Sequence, residues 1–215
     1  MKRALTVVFG GTFDPVHFGH LRAAAELQDQ LRADDFRLVP AGQPPHRGQP
    51  AASGTQRLRM VALALEGQDD LRIDGREVAR AGVSYMVDTL ADLRAELGDT
   101  RPLVLVLGQD AANDLDRWHR WRALFDYAHL AVMTRPGVAP EYGDELAGVI
   151  GPRTLAVNGD ADWQGSAGTV RHFEVRELEI ASTDIRRQVA AGISPRFLLP
   201  QTVIDYIAAH GLYRD

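Results

Sequence analysis

A set of short, nearly uninterrupted apolar runs constrains the fold of this chain more than any other feature of its sequence. Each run closes on a glycine- or arginine-containing turn, and helix-period segments separate them. The strongest is "PLVLVLGQD" at 102–110. An apolar run with no polar face reads as a strand covered on both sides, as in a parallel sheet. Ala4–Phe9, ended by Gly10 and Gly11, reads the same way, as do "FRLVPA" at 36–41 and "HLAVMTRPG" at 129–137. "LRIDG" at 71–75 is a weak strand, and "TVRHFEV" at 169–175 alternates as an edge strand does. Helical patterning covers 19–33, with Leu21, Ala24, Ala25, Leu27 and Leu31 on one stripe, and then 55–66 and 84–97. Ser84 is the expected N-cap of the last of these and Gly98 its stop. Two further helices are predicted at about 183–191 and 200–209. The loop at 42–54 holds three prolines and three glycines, which exclude both regular elements. Loops of that length in compact domains tend to be functional or disordered. Residues 138–168 carry weak periodicity and predict irregular structure.

Strands alternating with helices predict an α/β fold: a Rossmann-like, doubly wound, mainly parallel sheet with helices on both faces. We expect a single domain over 1–215, with a core to about 180 and a small C-terminal helical part over about 181–215. The polar turns at 10–20, 108–110 and 134–137 then share the sheet edge where ligands of such folds bind.

Composition narrows the function classes. The formal net charge of −5 argues against broad nucleic-acid binding, so positive charge for a polyphosphate must be local. The absence of cysteine removes disulfides, thiolate zinc sites and cysteine nucleophiles. No run approaches the ~20 apolar residues of a membrane helix. The basic-then-apolar start "MKRALTVVFGG" is too short for a secretory leader and reads as the first strand, so a cytoplasmic protein is expected.

"GGTFDPVHFGH" at 10–20 carries the chemistry. A glycine turn between strand and helix lets backbone amides approach a phosphate. The string has neither G-x-G-x-x-G nor G-x-x-x-x-G-K-[ST], so it is neither the dinucleotide fingerprint nor the P-loop. His17 and His20 are spaced to face one way at a helix start, where both can donate to phosphate oxygens. An isolated H-x-x-H is most often unrelated surface, and a metal reading lacks a third ligand. Asp14 is expected to fix the turn before Pro15. Arg57 and Arg59 read as solvated charges on a helix face. His119, His129, His172 and His210 carry no functional signal.

The whole string resembles the signature of the nucleotidylyltransferase superfamily, whose hallmark (H/T)-x-G-H here reads His17-Phe18-Gly19-His20. Within it the chain is most similar to the bacterial nicotinate mononucleotide adenylyltransferases. "PPHR" at 44–47, "SYMVDTL" at 84–90, "GQDAANDLDRWHRW" at 108–121, "RPG" at 135–137, "IASTDIR" at 180–186 and "LPQTVIDYIAAHGLY" at 199–213 match that family's segments in order. Met86 departs from the family's usual threonine, and Ala181 replaces the first serine of I-S-[SA]-T.

The resemblance implies ATP and nicotinate mononucleotide as partners, giving nicotinate adenine dinucleotide and pyrophosphate. It implies His17, His20 and Arg186 as catalytic residues. ATP would be bound by these and by Gly10, Gly11, Thr12, Phe13, Asp110, Ser182 and Thr183. The pyridine nucleotide would be bound by Phe13, His46, Arg47, Ser84, Tyr85, Met86, Thr89, Gly108, Asp110, Trp118 and Arg135, with Trp118 stacking on the ring. Mg²⁺ would arrive with ATP, held mainly by phosphates and water rather than by a protein metal site. Monomer and homodimer both stay open, as do a nicotinamide mononucleotide or phosphopantetheine acceptor, a cytidylyltransferase and a non-catalytic nucleotide sensor on the same fold.

Overall fold

The computed structural model describes residues 4–45, 48–134, 140–155, 163–176 and 178–214. Six strands form one sheet: β1 (Thr6–Gly11), β2 (Asp35–Pro40), β3 (Arg72–Ile73), β4 (Leu103–Gly108), β5 (His129–Thr134) and β6 (Val170–Glu174). Their order is β3-β2-β1-β4-β5-β6, and every pairing is parallel. The uninterrupted runs are the central strands, as expected of strands covered on both faces. The weak and the alternating runs are the two edges.

The helices are α1 (Phe18–Leu31), α2 (Gly54–Ala64), α3 (Arg76–Ala79), α4 (Met86–Leu97), α5 (Gln109–Asn113), α6 (Leu124–Tyr127), α7 (Asp144–Ile150), α8 (Ser182–Ala190) and α9 (Gln201–Ala209). Successive strand residues divide between two cores. Val7, Phe9, Val104, Val106 and Met133 join Ala24 and Leu27 of α1, Met60 of α2, Ile185 of α8 and Val203 and Ile207 of α9. Val8, Leu103, Leu105, Leu107 and Val132 join Val87, Leu90 and Leu93 of α4, Leu124 of α6 and Leu146 of α7. That division is the doubly wound architecture, with the period-2 alternation of strand side chains feeding both faces.

Some local expectations are corrected. The buried stripe of α1 is Ala23, Ala24, Leu27 and Leu31, and Ala25 faces out. Within 138–168, the described residues include α7 and a 3₁₀ turn at Gly151–Arg153, more regular structure than expected there, while 138–139 and 156–162 lie outside the described residues. Ser84 does not cap α4: Tyr85 is the N-cap residue, and Ser84 Oγ accepts instead from the amides of Gly42 and Gln43 at 3.1 and 3.2 Å. Gly98 does end α4, at φ +76°. Arg57 is the largest correction. Its side chain is 1% exposed, and Nε, Nη1 and Nη2 donate to the carbonyls of Ala52, Thr12 and Gly42 at 3.2, 2.7 and 2.8 Å. His129 is fully buried, with Nδ1 2.7 Å from Thr169 Oγ1. Among the described residues, no helix is long and apolar enough to cross a membrane.

Candidate active site

All six strands point the same way, so their carboxyl ends form one edge. β1 lies between β2 and β4, and α1, which leads from β1 to β2, packs on the opposite face of the sheet from α4, which leads into β4. That switch opens a crevice at the carboxyl end of β1. The cleft found there has a volume of about 1830 Å³, more than one ordinary ligand fills, and room for two nucleotides. Gly10, Gly11, Thr12, Phe13, His17 and His20 line it from the β1 turn and the start of α1. Gly108 and Asp110 line it from the end of β4 and the first turn of α5, and Ser84, Tyr85, Met86 and Trp118 from the segments around α4. Ser182, Thr183 and Arg186 enter from α8. These sequence-predicted residues, though not Thr89, are therefore brought together from separate stretches of chain.

The histidine turn is tightly built. His17 is the N-cap residue of α1 in extended backbone, and its side chain makes no cap hydrogen bond. Of the first-turn amides of α1, that of Phe18 donates to the Leu198 carbonyl at 2.9 Å, and the helix amino end still favours an anion through its dipole. The His17 ring stacks on His20, and the His20 ring meets Phe13 edge-on at 5.0 Å. Gly19 permits this, because a Cβ there would lie 2.9 Å from His17 Nδ1. His17 is 5% exposed, and burial depresses its pKa to about 4. It is therefore a neutral imidazole at pH 7, able to donate a hydrogen bond without adding charge.

Positive charge comes from α8. Arg186 Nη1 donates to the Asp14 carbonyl at 2.6 Å, and Ser182 Oγ donates to the Pro15 carbonyl at 3.0 Å. These two bonds tie the amino end of α8 to the turn that leads into His17. Ala181 is the N-cap of α8 and, in place of the family's serine, offers no side-chain cap; its carbonyl accepts from the Asp184 amide at 3.0 Å, and the amides of Ser182 and Thr183 meet no N-cap side chain at the edge of the cleft. Asp14 fixes more than its own turn: its carboxylate also accepts from the amides of Ala51 and Ala52 at 2.8 and 3.1 Å.

On the α4 side, Met86 packs its Cε against Gly10, where a Cβ would come within 2.5 Å. Tyr85 lies 4.3 Å from the His119 ring, and Trp118 is half-buried with one side against the α4 core. Asp110 is exposed in the first turn of α5. Thr89 is placed differently from the expectation. It is fully buried away from the cleft, donating to Glu77 Oε1 at 2.7 Å and accepting from Arg80 at 3.1 Å, so its hydroxyl is committed to the protein. His46, Arg47 and Arg135 lie outside the described residues. Sequence reasoning missed Glu77, which lines the cleft beside Ser84; burial raises the pKa of its carboxyl. No pattern in its four-residue helix marks it.

The donor set is imidazole, guanidinium, hydroxyl and amide. Among the described residues, no group of three or more His, Cys, Asp or Glu converges as a metal site. Such a lining suits an anion with its own cation better than a caged metal. The family model described as Cytidylyltransferase-like matches residues 8–188. Two relatives, each described as a probable nicotinate-nucleotide adenylyltransferase, come from Hahella chejuensis and Cellvibrio japonicus. They are 46% and 48% identical to this chain over 96% of its length, and over 94% and 97% of their own. The structure of Plasmodium falciparum nicotinic acid mononucleotide adenylyltransferase complexed with NaAD superposes with a TM-score of 0.73 at 14% identity, covering 98% of this chain and 97% of that one. At that identity the superposition speaks to the fold.

Proposed function

The chain belongs to the cytidylyltransferase-like family and within it to the nicotinate-nucleotide adenylyltransferases, and we propose that it transfers the adenylyl group of ATP to nicotinate mononucleotide. The products are nicotinate adenine dinucleotide and pyrophosphate, and the setting is cytoplasmic NAD biosynthesis. The observation that carries this reading is the convergence of two stacked imidazoles and one arginine in a cleft large enough for both nucleotides.

The nucleophile is a 5′-phosphate oxygen of the mononucleotide. It attacks the α-phosphorus of ATP in line, a new P–O bond forms, and the bond to the bridging α–β oxygen breaks with its electron pair leaving on pyrophosphate. A phosphomonoester with a second pKa of about 6 is already ionised near neutral pH, so no general base is required. Catalysis then reduces to positioning and to stabilising charge on the α-phosphoryl and the departing pyrophosphate. We assign His20 to the α-phosphate and neutral His17 beside it. Arg186, the Thr183 hydroxyl and the backbone amides of Ser182 and Thr183 hold the β- and γ-phosphates, the Ser182 hydroxyl being committed to the Pro15 carbonyl. Asp110 accepts from ribose hydroxyls, and Trp118 with Tyr85 and Met86 flanks the pyridine ring. Magnesium bound with ATP would supply charge neutralisation to the leaving pyrophosphate, and the residues of the cleft would meet the phosphates rather than cage the ion.

Pyrophosphate release from magnesium and ATP, with nicotinate and nicotinamide mononucleotides in parallel, tests the reading. A kcat/KM far higher with the acid is expected. Release with neither, while ATP still binds, would overturn the assignment in favour of a nucleotide sensor.

A further inference from the structure

Asp14 is buried on the turn that leads into His17, and the chemistry above makes no use of its carboxylate. That carboxylate is a junction. Besides the amides of Ala51 and Ala52, it accepts from the Tyr213 hydroxyl, 2.7 Å from Oδ1. Arg186 Nη1 stands 3.8 Å from Oδ2 while donating to the carbonyl of the same residue. Tyr213 lies beyond α9 at φ +62°, its ring packed on the core shared by α1 and α2. Burial first, and the neighbouring Asp14 charge second, push its pKa up, so the phenol stays protonated and donates.

A carboxylate has about four acceptor positions. Three here are filled by neutral donors, and a 3.8 Å contact to the guanidinium is loose beside a charge-assisted bond of about 2.8 Å. Arg57, the other cation acting on Asp14, already donates to three carbonyls through Nε, Nη1 and Nη2. We propose that Tyr213 is a positioning residue for Arg186. Oδ1 accepts from Ala52 and Tyr213, and Oδ2 only from Ala51, so the unfilled position is on the oxygen 3.8 Å from the guanidinium. The Tyr213 bond pins the carboxylate plane, keeps Oδ2 from turning onto Arg186 as a full ion pair and leaves that guanidinium facing the triphosphate. The proposal rests on the reading of Arg186 as a phosphate ligand.

Tyr213→Phe removes the hydroxyl and keeps the ring. Binding of a non-hydrolysable α,β-methylene ATP analogue, measured by calorimetry with magnesium, is expected to weaken about fivefold or more, as loss of one hydrogen bond to a charged group does. KM for ATP should rise in step, while KM for nicotinate mononucleotide stays within about twofold and the thermal midpoint holds. In an Arg186→Ala background, itself weakened, the same substitution should add nothing. Unchanged analogue binding in Tyr213→Phe overturns the proposal, as does unchanged binding in Arg186→Ala alone. So does a loss that persists undiminished in the double variant. A variant that no longer folds, or that loses both substrates together with its thermal midpoint, makes the hydroxyl a requirement of the fold and also overturns it. Failure of the adenylyl-transfer reading shows separately, as no pyrophosphate from the native chain with either mononucleotide. The analogue titration then still reports on Tyr213.

Discussion

His17 supports His20 through ring contact, with centroids 3.7 Å apart and planes 27° apart. The pair is thus a platform, its lower ring buried and its upper ring facing the cleft. A donor held by stacking loses little freedom when the transition state forms, which is the condition for electrostatic preorganisation.

His20→Ala should therefore lower kcat by about 10²–10³ with a smaller change in KM, as removal of a transition-state donor does. Steady-state pyrophosphate release checks this. Unaltered turnover would remove His20 from the mechanism. Truncation of His17 should cost kcat as well, since it removes a donor and the support beneath the other ring.

The buried imidazoles also set an acid limit on stability. His17 and His129 titrate at about 4 in the fold against 6.5 in the unfolded chain, both chiefly because burial penalises the cation. Their contribution is whole above pH 6.5. Between about 6.5 and 4 the unfolded chain takes up protons that the folded chain refuses, so stability falls with falling pH; below about 4 this loss levels off. His129→Asn should flatten the dependence of the thermal midpoint on pH across that window, relative to the native chain. An unchanged slope would mean His129 is not held neutral.

Arg57 is structural to a degree its charge conceals. Three carbonyls from the loops at residues 12, 42 and 52 converge on its guanidinium. Arg57→Ala should cost about 3 kcal/mol or more, because buried acceptors are left unsatisfied and a cavity opens. Arg57→Lys should recover only part of that, since an ammonium cannot reproduce the planar fork. Urea unfolding of the three proteins measures the difference.

Replacing Trp118 should affect the two substrates unequally. Its half-buried ring lines the cleft on the α4 side. Trp118→Ala should raise KM for the pyridine nucleotide about tenfold, the scale of one lost stacking contact, with KM for ATP much less affected. Equal effects on both substrates would argue for a packing role alone.

The sheet was legible because buried parallel strands are written as contiguous apolar residues, and β4 and β1 needed nothing else. The gathering of Gly10, His17 and Gly108 at one edge followed from alternation of strand and helix, whereas Arg186 was pointed to by the family resemblance alone. What stayed hidden depends on distant partners or on elements too short for a period. α3 and α6 have four residues each and show no helical repeat. Arg57 sits on a helix whose neighbours Met60 and Val61 are buried, yet its own burial is decided by carbonyls in other loops. Ser84 has the residue type and position of a cap, but its hydroxyl is claimed by amides 42 and 41 positions away. Thr89 falls within a family-like segment, and only its bond to Glu77 shows that its hydroxyl turns inward.

The bond between Tyr213 and Asp14 joins positions 199 apart. Translation runs from the amino end, so a nascent chain carries both histidines and the turn of Asp14 through most of its synthesis, without the arginine and phenol that complete their surroundings. The strands that open the crevice are made before the helix that carries Arg186. A product truncated before α8 would lose Arg186 together with Ile185, Val203 and Ile207, so the cleft's last wall and part of the core beneath it arrive in the same stretch of chain.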